Sequence, residues 1–200
     1  MKIDDYINSV TDKINHSIFY EFFHERIDDR YNCMQVPFKE EFLFFEHDYV
    51  FYYKDIFRRK LNIKCRKIID IGCQFGFQSE IFKRDFKYIG IDSSMKLTEF
   101  FNFEESICTY YNNPFPMKLD YENAIVISNM SLGYFNDGFD MEGAIRELKK
   151  ADYIYIRTSR DFLEKLRPFF IVEHLPKDTE RKELESNVHN NRYFLKRKEN

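Results

Sequence analysis

Two short stretches hold the residues whose types and spacing suit ligand chemistry. Their sequences are KIIDIGCQFGFQ at 67–78 and YIGIDSS at 88–94. Each contains an apolar run that ends on an aspartate, Asp70 in the first stretch and Asp92 in the second, and Gly72 and Gly76 stand between them. Glycine permits a tight turn and a close approach of backbone to a ligand, and a carboxylate accepts hydrogen bonds from hydroxyl groups. The pattern therefore predicts a ligand site at a strand-to-helix turn.

The elements that must position these residues follow from the pattern after Lys60, where short apolar runs alternate with helical stretches. Such alternation is typical of βαβ units with a parallel sheet and right-handed crossovers. The predicted strands are 67–71, 88–92, 106–110, 123–128 and 152–157, and the predicted helices are 76–85, 94–104 and 141–150. Two further runs, 169–175 and 191–198, have no clear helix between them and predict an antiparallel pair. The predicted fold class is α/β, a doubly wound, mostly parallel seven-stranded sheet with a C-terminal antiparallel strand pair and N-terminal helices.

The segment before the sheet is predicted to be helical. Apolar residues recur at helical spacing over 4–27, Pro37 interrupts the pattern, and a second helix is predicted over 39–60 with an aromatic stripe that includes Tyr49 and Tyr52. The stripe fits core packing, and it also fits a lid over a substrate pocket; both interpretations stay open. The predicted domains are a helical segment, 1–60, that covers the ligand side, and a sheet domain, 61–200.

The spacing of the glycines separates two kinds of nucleotide-binding turn. A dinucleotide-binding G-x-G-x-x-G turn would need glycine at 72, 74 and 77, but the chain has Gln74 and Phe77. The pattern D-x-G-x-G-x-G fits at Asp70, Gly72 and Gly76 and departs at Gln74 alone. This segment resembles motif I of the class I S-adenosylmethionine-dependent methyltransferases. The resemblance extends over roughly residues 60–200 and includes IGID at the second strand, where the aspartate follows Gly72 by 20 residues.

The resemblance implies S-adenosyl-L-methionine as the cofactor and assigns roles to particular residues. Asp92 is expected to accept hydrogen bonds from the two ribose hydroxyls, and Asp70 to organise the methionine end. Thr109 stands where the family has an acid that contacts adenine, so that adenine recognition is expected to rest on Asn112 or on backbone groups. The predicted cofactor-binding residues are Asp70, Gly72, Cys73, Gln74, Gly76, Asp92, Ser93, Thr109, Tyr110 and Asn129.

The reaction that the family carries out needs no dedicated base. Holding the acceptor and the methyl group in line can supply on the order of 7–11 kcal/mol. The segment SNMSLGYF at 128–135 resembles the family's loop beside the reactive sulfonium, which places Asn129 and Tyr134 nearest the methyl group. If a hydroxyl acceptor requires a base, the candidates are Tyr134, His47, His24 and Asp137, none with a spacing argument behind it. No metal site is predicted.

The composition of the chain indicates which binding partners and which cellular compartment to expect. A net charge of −3 and a pI near 6.0 lack the basic excess typical of duplex binding, so nucleic acid is disfavoured as a partner. The four cysteines show no CxxC pair and no ligand spacing, which indicates reduced thiols. The polar, acidic N-terminus and the lack of a long apolar run predict a cytoplasmic protein without a membrane segment.

Three functional hypotheses remain at this stage. The first is methyl transfer to a small molecule or to an exposed oxygen or nitrogen of a larger one. The second is a catalytically inactive, methyltransferase-like binding or regulatory protein, which the departures at Gln74 and Thr109 suggest. The third is an RNA or DNA methyltransferase that uses the basic runs KRDFK at 83–87 and LKRK at 195–198. The sequence gives neither the acceptor nor the oligomeric state.

Overall fold

The computed structural model describes residues 38–61, 66–73, 78–93, 108–129, 131–132, 139–175 and 192–199. The helices predicted over 4–27 and 94–104 lie outside these residues. The chain divides into two compact units, Met1–Leu61 and Asn62–Asn200. The role of the first unit as a cover over the ligand side stays a prediction.

The described part of the first unit is one long helix. Helix α1, Phe38–Arg58, begins directly after Pro37, close to the predicted range of 39–60. Tyr49 and Tyr52 of its aromatic stripe are buried and meet edge to face, with ring centroids 6.2 Å apart. Near its C-terminal end, the buried carboxylate of Asp55 accepts hydrogen bonds from the guanidinium groups of Arg58 and Arg59, which lie one turn further along the helix.

The second unit alternates strands and helices along the chain. Its elements are β1 Lys67–Ile71, α2 Ser79–Phe82, β2 Lys87–Asp92, β3 Cys108–Asn112, β4 Ala124–Asn129, α3 Met141–Leu148, β5 Tyr153–Arg157, α4 Arg160–Leu166, β6 Phe170–His174 and β7 Arg192–Arg197. The strands form one sheet in the order β3-β2-β1-β4-β5-β7-β6. Strands β1 to β5 pair in parallel, and β7 runs antiparallel to both β5 and β6. The predicted fold class is therefore confirmed.

The two faces of the sheet differ because successive side chains of a strand point to opposite sides. One face carries Ile69 and Ile71 of β1 and packs with helices α3 and α4 into the main hydrophobic core. The other face carries Asp70 of β1 together with Tyr88 of β2 and Tyr110 of β3, whose rings lie 5.8 Å apart. We call this second face the polar face. The turn after β1 lies at the carboxyl end of the parallel strands, where α/β sheets bind their ligands.

Three elements differ most from the sequence-based expectation, while the bounds of the others agree within two residues. Strand β3 spans Cys108–Asn112 instead of 106–110, because its pairing with β2 continues as far as Asn112 opposite Asp92. The helix predicted over 76–85 is described as Ser79–Phe82 only. Helix α4 was not predicted, although Ser159 caps it by accepting from the backbone N–H of Phe162.

Candidate functional site

The turn after β1 explains the first glycine of the motif. Gly72 has a φ of +75°, a left-handed conformation that side chains rarely adopt. Its backbone N–H donates to the carbonyl of Ile91 at 2.8 Å, and the N–H of Cys73 donates to the same carbonyl at 3.2 Å. A Cβ atom at Gly72 would lie 1.7 Å from Ser131 Oγ. The space beside Gly72 is therefore filled by Ser131, which follows β4 and donates to the Gly72 carbonyl at 3.3 Å.

Asp70 holds this turn from within the sheet. Its buried carboxylate accepts hydrogen bonds from Tyr88 Oη at 2.6 Å and from Gln78 Nε2 at 2.8 Å. The same Gln78 nitrogen donates to the carbonyl of Cys73 at 3.0 Å. Asp70 thus ties β1 to β2 and, through Gln78, to the turn itself. Its expected role at the methionine end of the cofactor stays a prediction.

Cys73 contributes packing to the turn. Burial raises the pKa of its thiol well above the usual value, and the nearby negative charges of Asp70 and Asp92 raise it further. Gly90 leaves room for the sulfur, because a Cβ there would lie 2.7 Å from Cys73 Sγ. The group is therefore a neutral thiol near pH 7, and a neutral thiol is a poor nucleophile.

Five polar residues form one row across the polar face at the carboxyl end of the parallel strands. Asp92 of β2 pairs with Asn112 of β3, and Asn129 of β4 pairs with Arg157 of β5, which pairs with Arg192 at the start of β7. The pairing of neighbouring strands sets five residues level with Asp70 across the sheet: Gly90, Tyr110, Ile127, Tyr155 and Phe194. Each of the five polar residues lies on the same strand as one of these, two positions closer to the carboxyl end of the parallel strands. Because side chains alternate between faces, all five therefore lie on the same face as Asp70. We call these five residues the carboxyl-end row. The turn at Gly72 lies between its Asp92 and Asn129 members, because β1 pairs with both β2 and β4.

Asn129 stands out within the row. Its side chain is 6% exposed, and neither its Oδ1 nor its Nδ2 has a hydrogen-bond partner among the described residues. Buried amide groups are nearly always hydrogen-bonded, because an unpaired one costs about 1–3 kcal/mol. Such an amide beside the Gly72 turn is suited to a polar group of a ligand.

The other predicted site residues fall into three groups. Ser93 is exposed directly after Asp92, and Tyr110 lies on the polar face one step below the carboxyl-end row. Burial raises the pKa of the Tyr110 hydroxyl. Thr109 pairs with Ile89 on the opposite face of the sheet, so the structure does not bring it to the row. Gln74, Gly76, Tyr134, Asp137 and His24 lie outside the described residues, as does the side chain of His47 in α1.

Sequence reasoning missed several residues that shape this edge of the sheet. Gln78, Tyr88 and Ser131 hold the turn, and Arg157 and Arg192 extend the carboxyl-end row. Arg157 had a signal in the sequence, because an arginine that ends the apolar strand YIYIR must lie at the ligand edge. Arg192 had none, since its position depends on the register of an antiparallel pair.

Neither a metal-binding cluster nor a membrane-spanning helix is found among the described residues. In the part of the chain that the structure describes, no cluster of three or more histidine, cysteine or acidic side chains could hold a metal ion. No helix within the described ranges is long and apolar enough to cross a membrane.

Comparison with known proteins identifies the fold. No protein-family model matches the chain, and a search of curated proteins also finds no match. Among solved structures, N-methyltransferase NodS from Bradyrhizobium japonicum WM9 is 11% identical with a TM-score of 0.51, over 74% of this chain and 95% of NodS. A TehB-like SAM-dependent methyltransferase from Corynebacterium glutamicum is 15% identical with a TM-score of 0.51, over 76% of this chain and 97% of the other. At such low identity these matches bear on the fold alone.

A third structure agrees with these two. A Methanococcus maripaludis protein described as an S-adenosyl-L-methionine-dependent methyltransferase is 13% identical with a TM-score of 0.53, over 76% of this chain and 86% of the other. The chain therefore has the class I methyltransferase fold, as the resemblance at 67–94 implied.

Proposed function

We propose that the protein is an S-adenosylmethionine-dependent methyltransferase that acts on a small molecule or on an exposed oxygen or nitrogen acceptor. The observation that carries the proposal is the carboxyl-end row. It has a partly exposed carboxylate, Asp92, on one side of the Gly72 turn. On the other side lies the buried amide of Asn129, which has no hydrogen-bond partner among the described residues. Neighbouring strands lie about 4.8 Å apart, so these two groups are separated by two strand spacings, about 10 Å. The match to NodS, an N-methyltransferase, and to other methyltransferase structures supports the same reaction class.

The residues present fit the cofactor. The Asp92 carboxylate is suited to accept both hydroxyls of a ribose, and Asn112 beside it offers an amide for the adenine in place of the acid that the family uses. On the other side of the turn, the amide of Asn129 is suited to polar atoms of the methionine end. When bound, S-adenosylmethionine supplies a methyl group activated by a sulfonium.

The protein's own contribution is to position the acceptor and to keep its own side chains from reacting with the methyl group. Alignment of the acceptor by the residues at the carboxyl edge can supply most of the needed acceleration without a dedicated base. Burial keeps the Cys73 thiol neutral, and it likewise raises the pKa of Tyr110. Both side chains lie close to the predicted site, so their neutral state prevents them from competing with the acceptor as nucleophiles. Tyr134, His47 and His24 remain the proposed candidates if a base is used.

Calorimetry with S-adenosylmethionine and S-adenosylhomocysteine tests the proposal. We expect wild type to bind both, and Asp92→Asn to bind each at least about tenfold more weakly, because hydrogen bonds to a charged acceptor contribute about 1.5–3 kcal/mol. Asp120→Asn is the matched control, since the exposed Asp120 side chain pairs with Lys67 at the other end of β1. The proposal is wrong if wild type fails to bind, or if Asp92→Asn binds as tightly as Asp120→Asn.

A turnover experiment separates an enzyme from a binding protein. The protein is incubated with methyl-labelled S-adenosylmethionine and a cell extract that contains both small molecules and macromolecules. Label transferred by wild type, and transferred more slowly by Asp92→Asn at a subsaturating cofactor concentration, supports methyl transfer. Tight cofactor binding without any transferred label would favour a regulatory protein built on this fold.

A further inference from the structure

Asp70, the acid before the glycine turn, is closed off from any ligand at the carboxyl edge. It is 0% exposed, and its Oδ2 atom accepts hydrogen bonds from Tyr88 Oη at 2.6 Å and from Gln78 Nε2 at 2.8 Å. Tyr88 is equally buried, whereas Gln78 is partly exposed at the end of the turn. Of these two partners, only Gln78 therefore has surface that a ligand can reach.

The side-chain amide of Gln78 is held in one orientation. Its Nε2 atom donates to Asp70 and also to the carbonyl of Cys73 at 3.0 Å, so both of its N–H bonds are used. The opposite orientation would set the amide oxygen against a carboxylate and a carbonyl, neither of which can donate. Oε1 is therefore the end of the amide that is left for another donor, and no donor among the described residues reaches it.

Capping of helix α2 does not explain this glutamine. Gln78 occupies the N-cap position of α2, but its side chain makes no capping hydrogen bond there. Serine, threonine, aspartate and asparagine are the residues preferred for that purpose. The side chain of Gln78 instead turns back to β1 and the turn that follows it.

The charge of Asp70 makes the Gln78 oxygen a stronger acceptor. Hydrogen bonds in a chain polarise one another, so an amide that donates to a carboxylate carries more negative charge on its oxygen. Burial and then the Asp70 charge raise the pKa of the Cys73 thiol, so the field of this carboxylate reaches the turn. An oxygen in this setting favours a donor that is itself positively charged.

We propose that Gln78 Oε1 accepts a hydrogen bond from the α-ammonium group at the methionine end of the cofactor, and that Asp70 positions Gln78 for this contact. The inference rests on the proposed function and names the residue that recognises one end of the cofactor. Asp70 is then a positioning residue that acts through Gln78, in place of the direct contact that the family resemblance implies. The ammonium group has three N–H donors and no acceptor, so an amide oxygen suits it.

Two ligands that differ only in the ammonium group test the inference. They are S-adenosylhomocysteine and its desamino analogue, which keeps the nucleoside, the sulfur and the carboxylate and carries hydrogen in place of the amino group. Calorimetry on the full chain measures both affinities. We expect wild type to bind S-adenosylhomocysteine at least about tenfold more tightly, because the analogue lacks a hydrogen bond from a charged donor.

Gln78→Met separates recognition from packing. Methionine has a similar length but offers only a weakly accepting sulfur. We expect the preference for S-adenosylhomocysteine to fall to about twofold or less, because the lost hydrogen bond accounts for it. A purely structural loss would weaken both ligands alike and leave the preference unchanged. Tyr88→Phe is the matched control, since it removes the other hydrogen bond to Asp70 and should keep the wild-type preference.

A second measurement does not depend on the folding of Gln78→Met. The chain contains three glutamines, at positions 35, 74 and 78, so ¹⁵N-glutamine labelling gives three side-chain amide signals. Gln35→Glu and Gln74→Glu assign the remaining signal to Gln78. We expect this signal in wild type to shift with S-adenosylhomocysteine and to shift less with the desamino analogue, both at saturation. Equal shifts with the two ligands would contradict the inference.

Three results of the calorimetry would overturn the inference. The first is equal affinity of wild type for the two ligands. The second is a Gln78→Met variant that is folded in thermal melts and retains the wild-type preference. The third is a Tyr88→Phe variant that loses the preference as fully as Gln78→Met, which would return the contact to Asp70 itself. If wild type binds neither ligand, the proposed function is contradicted as well, and this result is distinct from the other three.

Discussion

At position 72, the backbone conformation and a neighbouring side chain both require glycine. The φ of +75° disfavours any other residue, and the place of a Cβ is taken by Ser131. The glycine of the motif thus lets two loops at the carboxyl edge, one after β1 and one after β4, approach each other. This contact fixes the turn relative to Asn129, whose carbonyl accepts a hydrogen bond from Ser131 Oγ at 3.4 Å.

Gly72→Ala is expected to lower the free energy of unfolding by about 2–4 kcal/mol, from backbone strain and overpacking together. The double variant Gly72→Ala/Ser131→Gly separates the two causes, because it removes the clash and keeps the strained backbone. We expect it to be more stable than Gly72→Ala and less stable than Ser131→Gly. Urea denaturation monitored by circular dichroism measures the four proteins of the cycle. Equal effects of Gly72→Ala in both backgrounds would show that Ser131 does not crowd the site.

The site residues differ in how far the sequence could reveal them. Asp92 was predictable, because a carboxylate at the tip of the second strand follows from the apolar run and its distance to Gly72. Ser131 and Gln78 were not predictable, since their roles depend on contacts between segments that only the folded chain brings together. Aligning the chain with the family motif placed Thr109 at the cofactor, but the motif does not fix the register of β3. In the structure Thr109 pairs with Ile89 and lies on the face of the sheet opposite the polar face.

Among the elements, the long apolar strands and α3 were predicted most closely. Strand β1 has the predicted bounds, and α3 begins at the predicted Met141. Helix α4 was missed because it is only seven residues long and lies between two strand-like runs. Its signals were Ser159 at the N-cap and the buried Phe162, Leu163 and Leu166 on one stripe.

The start of α3 depends on a side-chain cap. Asp140 Oδ1 accepts from the backbone N–H of Gly143 at 2.8 Å and satisfies one of the free donors of the first turn. Asp140→Ala is expected to lower the free energy of unfolding by about 1 kcal/mol. Asp140→Asn is the matched control and should retain most of the stability, since asparagine caps helices as well as aspartate. If urea denaturation gives both variants the same loss, the cap is not the cause.

At the scale of the whole molecule, the sheet order decides which polar residues meet at the carboxyl end of the parallel strands. The order β3-β2-β1-β4-β5-β7-β6 places Asp92 and Arg157 three strand spacings apart, about 14 Å, on one face and one edge. Asp92 and Asn112, which are proposed to bind the nucleoside, therefore lie on one side of the Gly72 turn, and Asn129 and Arg157 lie on the other. The sequence of a single strand does not reveal this arrangement. It depends on the crossover that carries the chain from β3, at the edge of the sheet, to β4 beside β1.

The whole fold should lose stability in alkali. Burial raises the pKa of three groups in the folded protein: Cys73 above its usual 9.0, and Tyr110 and Tyr121 above their usual 10.0. In the unfolded chain these groups release their protons at the usual values, so the unfolded state binds fewer protons above pH 9–10 and is favoured there. The stabilisation is complete below pH 9 and declines as the pH rises, by about 1.4 kcal/mol per pH unit for each group that ionises on unfolding.

Tyr121→Phe tests this alkaline dependence. Tyr121 donates to the carbonyl of Met117 at 2.9 Å, so the variant should lose about 1 kcal/mol at pH 7. From pH 10 upward, however, its unfolding free energy should fall less steeply than that of wild type, by up to about 1.4 kcal/mol per pH unit, because one ionising group is gone. Urea midpoints across this range measure the slopes, and absorbance at 295 nm reports tyrosine ionisation. Identical slopes for the two proteins would mean that Tyr121 ionises as readily in the folded chain as in the unfolded one.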